Sequence, residues 1–206
     1  LGSCAKDDDD AASTDNTTST ATFTSTTTAS GSITVGSATM SGTYVSECST
    51  SGVAANVSAG NFPSDVKAAR DVLVVTGNDN VSEEFYVYTD TSCSSLSYYM
   101  KDVNDNFTVG DQSGDYYKVT YNETDWKIYA GTTVAETYWE NYLSTNGITK
   151  QGVGAIDLVV GTEYDVGGSG KNEMNIYSVT STTVQTGDDD NATQPTEMDT
   201  LEMAKQ

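Results

Sequence analysis

The sequence predicts a mainly β fold, an antiparallel barrel or sandwich with one helix. From about residue 32 the chain divides into short segments in which apolar and polar residues alternate, with many β-branched and aromatic side chains. Gly, Asn and Asp residues, which favour turns, separate these segments. Many short and evenly spaced strands are typical of antiparallel barrels and sandwiches.

The strand pattern is clearest in the segment that contains four consecutive large residues. There Tyr86 and Tyr88 face one side of the predicted strand, and Phe85 and Val87 face the other. The segments with a strand pattern are 32–35, 42–48, 71–76, 83–89, 96–102, 116–121, 126–130, 155–160, 175–179 and 183–185.

One segment has the period of a helix instead. In residues 133–144, Val134, Tyr138 and Tyr142 recur every four residues, and Asn146-Gly147 ends the pattern. We expect this helix to pack against the side of the barrel or across one of its mouths. A short helical turn is also predicted at residues 66–70, after Pro63.

Composition limits the classes of function. The 206 residues contain 9 Lys and Arg, 30 Asp and Glu and no His, which gives a formal charge of −21. Binding to nucleic acid is excluded, because it needs clustered cations, and so is a polybasic contact with anionic lipid. Catalysis by Ser–His–Asp or Cys–His groups is excluded by the lack of histidine.

The first four residues, Leu1-Gly2-Ser3-Cys4, resemble the lipobox of bacterial lipoproteins, in which a cysteine receives diacylglycerol. Residues 1–3 are then the end of a signal peptide, and Cys4 is the lipidated first residue of the mature protein. The resemblance implies a membrane anchor, and Ala5 at the next position favours the outer membrane. The alternative is a chance match of four residues.

The composition divides the rest of the chain into three parts. Residues 4–31 are predicted to be the lipidated cysteine and a disordered Ser/Thr/Asp-rich tether, in which Phe23 is the only large apolar residue. Residues 32–186 form the predicted β-barrel domain, and residues 187–206 a polar C-terminal tail. Within that tail Met198, Leu201 and Ala204 are compatible with a short helix, with an edge segment that docks, or with a frayed end.

Two cysteines remain once Cys4 is assigned to the lipid. Cys48 and Cys93 are an even pair in an exported protein, the setting in which disulfides form, and we predict a bond between them. The alternative is two separate free thiols.

Three further motifs resemble those of lipocalin-like lipoproteins of proteobacteria. They are an opening strand Gly42-Thr43-Tyr44 that ends at Cys48, a Tyr-x-Asp-x-x-Cys motif at 88–93, and Pro-Thr-x-x-Asp at 195–199. In that family the two cysteines pair. The resemblance implies an antiparallel, lipocalin-like barrel of about eight strands with one helix at the side, and it implies no catalytic residue.

Aromatic residues are the best candidates for a binding role. The chain has 13 Tyr and 2 Trp, and tyrosine both fills cores and lines ligand pockets. Core packing is the alternative for those that point inward. The residues proposed to form a ligand cavity or a partner face are Tyr44, Tyr86, Tyr88, Tyr98, Tyr117, Tyr121 and Trp126.

Acidic residues offer weaker candidates. Pairs such as Glu83-Glu84 or Asp102/Asp105 could serve a glycoside hydrolase, but with 30 acids such pairs arise by chance. We therefore predict no catalytic residues, no enzymatic activity and no bound metal or other cofactor. Calcium at the aspartates of 188–190, of 102–105 or of 111–115 is the alternative to solvated loop charge.

Together these features predict a membrane-anchored bacterial lipoprotein. Its lipocalin-like barrel would bind a small apolar ligand, a lipid or an envelope protein partner, and no nucleic acid. The alternative function is a structural or accessory component of a cell-envelope assembly, without a ligand.

Overall fold

The computed structural model describes residues 23–150, 154–187 and 194–206. The strands are β1 Ile33–Val35, β2 Ala38–Met40, β3 Thr43–Ser46, β4 Ala68–Val75, β5 Val81–Tyr88, β6 Leu96–Ser113, β7 Tyr116–Ala130, β8 Thr149–Lys150, β9 Gly154–Ala155, β10 Glu163–Asp165, β11 Asn172–Val179, β12 Thr183–Gly187 and β13 Met198–Lys205. The helices are α1 Val53–Ala59 and α2 Thr133–Thr145.

Eight of these strands form a closed antiparallel barrel. The order around the barrel is β3-β4-β5-β6-β7-β11-β12-β13, and β13 pairs again with β3. Strand β10 is an extra strand that pairs with the second half of β7, beyond the part that pairs with β11. The structure thus confirms the barrel and resolves the choice between barrel and sandwich.

Two apolar clusters fill the two ends of the barrel. At the hairpin end, β1 and β2 form a separate two-stranded sheet whose apolar residues pack on Tyr44, Phe107 and Tyr177 from the barrel. At the helix end, Trp139 and Leu143 of α2 pack among residues of the barrel interior. The predicted helix 133–144 is confirmed almost to the residue, and it begins where the Thr132 side chain accepts a hydrogen bond from the Ala135 N–H.

Two of the barrel strands are longer than the sequence predicts. Residues 116–121 and 126–130 were predicted as separate strands, yet β7 runs through the polar residues between them, and β6 extends to Ser113. The two strands pair along almost their full length, because a ladder bonds through the backbone whatever the side chains are. Thr124 is skipped in this ladder, and its hydroxyl donates to the Val103 carbonyl at 2.9 Å.

Two predicted elements are wrong. Residues 66–70 do not form a helical turn, because Ala68 and Ala69 already pair with β5 as the start of β4. Residues 155–160 are not a strand beyond Ala155. There the backbone N–H of Leu158 donates a hydrogen bond to the Glu140 carboxylate of α2 at 2.9 Å. A side chain of the helix thus accepts the hydrogen bond that the backbone of a neighbouring strand would accept in a sheet. Helix α1, with only Val53 buried, was not predicted.

Parts of the predicted tether and tail are ordered. Residues 198–205 of the tail form β13, although the strand has only one buried apolar side chain, that of Met203. Residues 23–31 of the tether follow the outer wall of the barrel from the helix end to the hairpin end. Phe23 packs edge-on against Tyr86, with 4.8 Å between ring centroids, and the Ser30 N–H donates to the Val75 carbonyl. Cys4 and the rest of the predicted tether lie outside the described residues.

The predicted disulfide between Cys48 and Cys93 is present. The two Cα atoms are 5.9 Å apart, and the bond joins the end of β3 to the loop between β5 and β6. It therefore connects two parts of the barrel that are 45 residues apart in the chain.

Replacing both Cys48 and Cys93 by Ser is expected to lower the free energy of unfolding by about 4 kcal/mol, the entropy of closing a loop of this length in the unfolded chain. Urea unfolding followed by intrinsic fluorescence measures the loss. Reduction of the wild-type protein with a thiol reductant is the control and should produce a similar loss. A change below about 1 kcal/mol in both experiments would contradict a stabilising role for the bond.

Candidate functional site

A cavity of about 680 Å³ lies in the barrel between the two apolar clusters. Strand alternation places every second residue of the barrel strands on its wall. Its aromatic and apolar lining comes from both the barrel and the helix end: Phe62, Leu73, Phe85, Tyr98, Met100, Tyr138, Trp139, Tyr142, Leu201 and Met203.

Four acidic side chains from different strands share this cavity. They are Asp71 of β4, Glu83 of β5, Asp102 of β6 and Asp199 of β13. Glu83 and Asp102 lie directly opposite each other in the ladder of β5 with β6. Among the described residues, no Lys or Arg lines the cavity. The cavity therefore combines aromatic and apolar walls with carboxyl groups from four strands.

Hydrogen-bond donors gather around Glu83. The hydroxyl of Tyr121 donates to its carboxylate at 3.1 Å, and the hydroxyl of Tyr177 donates to the other oxygen. The side-chain amide of Asn104 lies 3.4 Å from the same carboxylate. The Glu83 carboxylate is therefore held in place by side chains of three other strands.

Two of the other acids are affected by burial. Burial raises the pKa of Asp102 to about 8, and the charges of Glu83, Glu123 and Glu173 add to the effect. Burial, together with the charge of Asp199, raises the pKa of Asp71 to about 7. Near neutral pH both carboxyl groups are therefore close to the point at which they gain or lose a proton.

The structure distributes the seven aromatic residues proposed from the sequence over four places. Tyr98 lines the cavity. Tyr44, Tyr117 and Tyr121 belong to the cluster at the hairpin end, and Trp126 to the cluster at the helix end. Tyr86 and Tyr88 point outward, as the alternation with Phe85 and Val87 predicts.

The outward tyrosines form a second, shallower pocket of about 380 Å³ on the barrel wall. Here the rings of Tyr99 and Tyr129 are stacked at 4.7 Å, and Phe23 of the N-terminal segment packs against Tyr86. Lys101 forms a salt bridge of 2.9 Å with Glu163 beside this surface. The N-terminal segment thus already occupies part of the outer pocket.

No sequence motif singles out the acids of the cavity as a group. Glu83 and Glu84 are adjacent in the sequence but face opposite sides of β5, and Glu84 accepts hydrogen bonds from Ser82 and Tyr86 on the outer side. The alternation of side chains along a strand could have identified the acids of the cavity. Asp71 faces the same side of β4 as Leu73 and Val75, which belong to the core.

Within the described ranges, no group of three or more His, Cys, Asp or Glu side chains is placed so that it could hold a metal ion. Of the calcium candidates, residues 188–190 lie outside the described residues. In the same part of the chain, no helix is long and apolar enough to cross a membrane. Neither a family model nor a curated protein matches the chain.

Substituting Asn at both Asp71 and Asp102 is expected to stabilise the protein by several kcal/mol at pH 8.5 and to have little effect at pH 4. Between these values the folded wild type keeps protons that the unfolded chain releases near pH 4. Its free energy of unfolding therefore falls as the pH rises from about 4, by up to about 1.4 kcal/mol per pH unit for each group, and levels off once the pH passes the folded-state pKa values of about 7 and about 8. The Asn side chains cannot ionise and avoid this loss.

Urea unfolding at both pH values measures the difference between the double variant and the wild type. Asp111→Asn is the matched control, because Asp111 lies on the same strand as Asp102 but is exposed to solvent. If the double variant and the wild type had equal free energies of unfolding at both pH values, burial would not oppose ionisation of these acids.

Proposed function

We propose that the protein is a binding module whose barrel takes a small ligand into the cavity. The observation that carries this proposal is the volume of about 680 Å³ that the two apolar clusters leave between them. Pockets that bind small molecules measure about 300–1,000 Å³, with apolar and aromatic walls and a few polar groups. A barrel of eight strands is wide enough to hold one such ligand.

The cavity is held in shape before a ligand arrives. The closed ladder fixes the wall, and the clusters at both ends fix its length. The disulfide from Cys48 to Cys93 ties strands at the helix end. A rigid pocket loses less entropy on binding than one that must first be ordered, which favours a binding role.

We infer that the cavity opens at the helix end of the barrel. Asn56 and Asn61, in and after α1, line the cavity together with Tyr138 and Tyr142 of α2, and Tyr142 is 42% exposed. The Tyr138 hydroxyl donates to the Asn61 carbonyl at 2.6 Å and so connects the two sides of this mouth. A ligand would pass between these two elements.

We also propose that the module is anchored to a bacterial outer membrane through Cys4. The support is the lipobox-like Leu1-Gly2-Ser3-Cys4 motif. Between Cys4 and Phe23 there are 18 residues, enough to span at most about 65 Å when fully extended. The barrel would then be held near the lipid surface without lying on it, where it could take up a ligand or meet an envelope protein.

Leu201→Trp is expected to weaken binding of N-phenyl-1-naphthylamine, a neutral apolar fluorescent probe, by about tenfold or more. Leu201 lines the cavity, and a Trp ring there would occupy space that the probe needs. Titration of probe fluorescence measures the affinity. Glu202→Trp is the matched control, because it puts the same ring at the next, exposed position of β13. Equal affinities in the two variants would place the probe outside the cavity and contradict the proposal.

The anchor is tested in a Gram-negative host, with a signal peptide ahead of Leu1. The protein is expected in the outer-membrane fraction, with acyl groups on Cys4 found by mass spectrometry, and Cys4→Ala in the soluble fraction, since acyl chains stabilise membrane binding by about 0.8 kcal/mol per CH₂. The variant that lacks Cys48 and Cys93 should remain in the membrane. An unmodified Cys4 in the wild-type protein would refute the anchor.

A further inference from the structure

We propose that the outer pocket on the barrel wall binds an organic carboxylate, with the carboxylate group at Arg70 and an apolar or aromatic body against the tyrosine rings. The pocket measures about 380 Å³, which lies within the range of sites that bind small molecules. It is separate from the cavity inside the barrel, because Tyr86 and Tyr88 on its wall point outward. The inference therefore goes beyond the proposed function and does not depend on it.

The buried guanidinium of Arg70 is the first observation. Arg70 is the only arginine of the chain, and it lies opposite the outward Tyr86 in the ladder of β4 with β5. It lines the outer pocket, although only 8% of the residue is exposed. Its Nε is buried without a hydrogen-bond partner, and the one salt bridge among the described residues joins Lys101 to Glu163. Arginines this deeply buried normally pair with a carboxylate, and no described acid fills that role.

Two acids in the neighbourhood of Arg70 are held by other donors. Glu84, which is diagonal to Arg70 across the same ladder, accepts hydrogen bonds from three hydroxyl groups. Asp90 accepts hydrogen bonds from the serines of its own loop. Arg70 also lies over the ring of Phe23, 5.5 Å from its centroid, but a cation–π contact uses the positive charge and not the N–H donors. The guanidinium thus keeps N–H donors for an acceptor that enters the outer pocket.

The hydroxyl of Tyr88 is a second polar group on the same wall. Tyr88 lines the outer pocket and is only 5% exposed, and within the described part of the chain no side chain forms a hydrogen bond with its hydroxyl. Burial raises the pKa of this hydroxyl, while the positive charge of Arg70 acts in the opposite direction. The guanidinium and the hydroxyl are therefore close enough to interact. A guanidinium offers a carboxylate two parallel N–H donors, and a phenol adds an O–H donor.

The rest of the wall suits an apolar or aromatic body. The ring centroids of Tyr86 and Tyr99 lie 5.0 Å apart, and Tyr129 stacks on Tyr99. The hydroxyls of Tyr86 and Tyr99 donate to Glu84 and Glu163, respectively. Both rings are therefore fixed before a ligand binds, which lowers the entropy that binding costs.

A carboxylate suits the site better than a phosphate ester. One guanidinium balances the single charge of a carboxylate, whereas a phosphate group carries about 1.5 to 2 negative charges near neutral pH. The chain has a formal charge of −21, so it repels a phosphate more strongly than a carboxylate. We therefore expect a monoanion.

The test compares three probes of one skeleton by isothermal titration calorimetry at pH 7.4 and physiological salt: 4-phenylbutyrate, 4-phenylbutanol and 4-phenylbutylamine. We expect the carboxylate to bind at least about tenfold more tightly than the alcohol, the smallest effect expected of a charge-assisted hydrogen bond in a buried site. The amine is expected to bind more weakly than the alcohol. Leu201→Trp, which fills the cavity inside the barrel, should leave the affinity for the carboxylate unchanged.

Arg70→Met should lower the affinity for the carboxylate to that for the alcohol and leave the alcohol unchanged. Lys67→Met is the matched control, because it removes the same charge from an exposed residue of the same region that does not line the outer pocket, and it should change neither affinity. Arg70→Lys keeps the charge without the planar fork and should give an intermediate affinity.

Tyr88→Phe should weaken carboxylate binding by about threefold or more, the effect of one hydrogen bond. This variant removes a single hydroxyl group that no described side chain uses, so the proposal remains testable even if Arg70→Met does not fold. The alcohol should bind Tyr88→Phe and the wild type equally.

Each other outcome is decisive. Equal affinities of the wild type for carboxylate and alcohol, or equal losses in Arg70→Met and Lys67→Met, would overturn the carboxylate site. Loss of carboxylate binding in Leu201→Trp would place the probe inside the barrel, which would overturn the outer site and support the binding function of the cavity. Binding that appears only after the aspartates of residues 7–10 are replaced by Asn would assign Arg70 to the chain's own acidic segment and overturn an external ligand. None of these results would change the outcome of the N-phenyl-1-naphthylamine titrations, which test the cavity separately.

Discussion

The pairing of β13 with both β12 and β3 is the constraint on which the rest of the structure depends. Residues 203–205 lie opposite residues 44–46 and turn an open sheet into a barrel. In a closed sheet every second residue must face the interior, whatever its polarity. Closure therefore carries Asp71, Glu83 and Asp102 inside together with their apolar neighbours, and it creates the cavity and its charge at the same time.

The interior acids oppose stability and specify the structure. Their desolvation is offset in part by the hydroxyls of Tyr121 and Tyr177 and by the disulfide at the helix end. A register shift of one residue would exchange the faces of Arg70-Asp71 and Lys101-Asp102, and it would move the cations inside and break their outer contacts. The same charge pattern that makes the cavity acidic therefore also fixes the register of β4 and β6.

The sequence predicts those strands and helices whose own residues have a clear apolar pattern. The alternation around Phe85 and Tyr86 contains enough large apolar side chains to specify strand β5. The apolar stripe around Trp139 does the same for helix α2. Strand β13 has only Met203 buried, and the middle of β7 is polar, so their pairing depends on distant neighbours that no local pattern contains. The alternation of side chains along each strand shows that the acids of the cavity share a face with core residues. That this face surrounds a cavity follows only from closure of the barrel.

The path of the N-terminal segment relates the cavity to the proposed anchor. Phe23 lies against Tyr86 on the outer wall, and Cys93 and Leu96 of the helix end line the same pocket. Phe23, the first described residue, thus lies near the helix end, where we propose that the cavity opens. If Cys4 carries the lipid, the anchor would be joined through Phe23 to the end of the barrel at which we propose that a ligand enters.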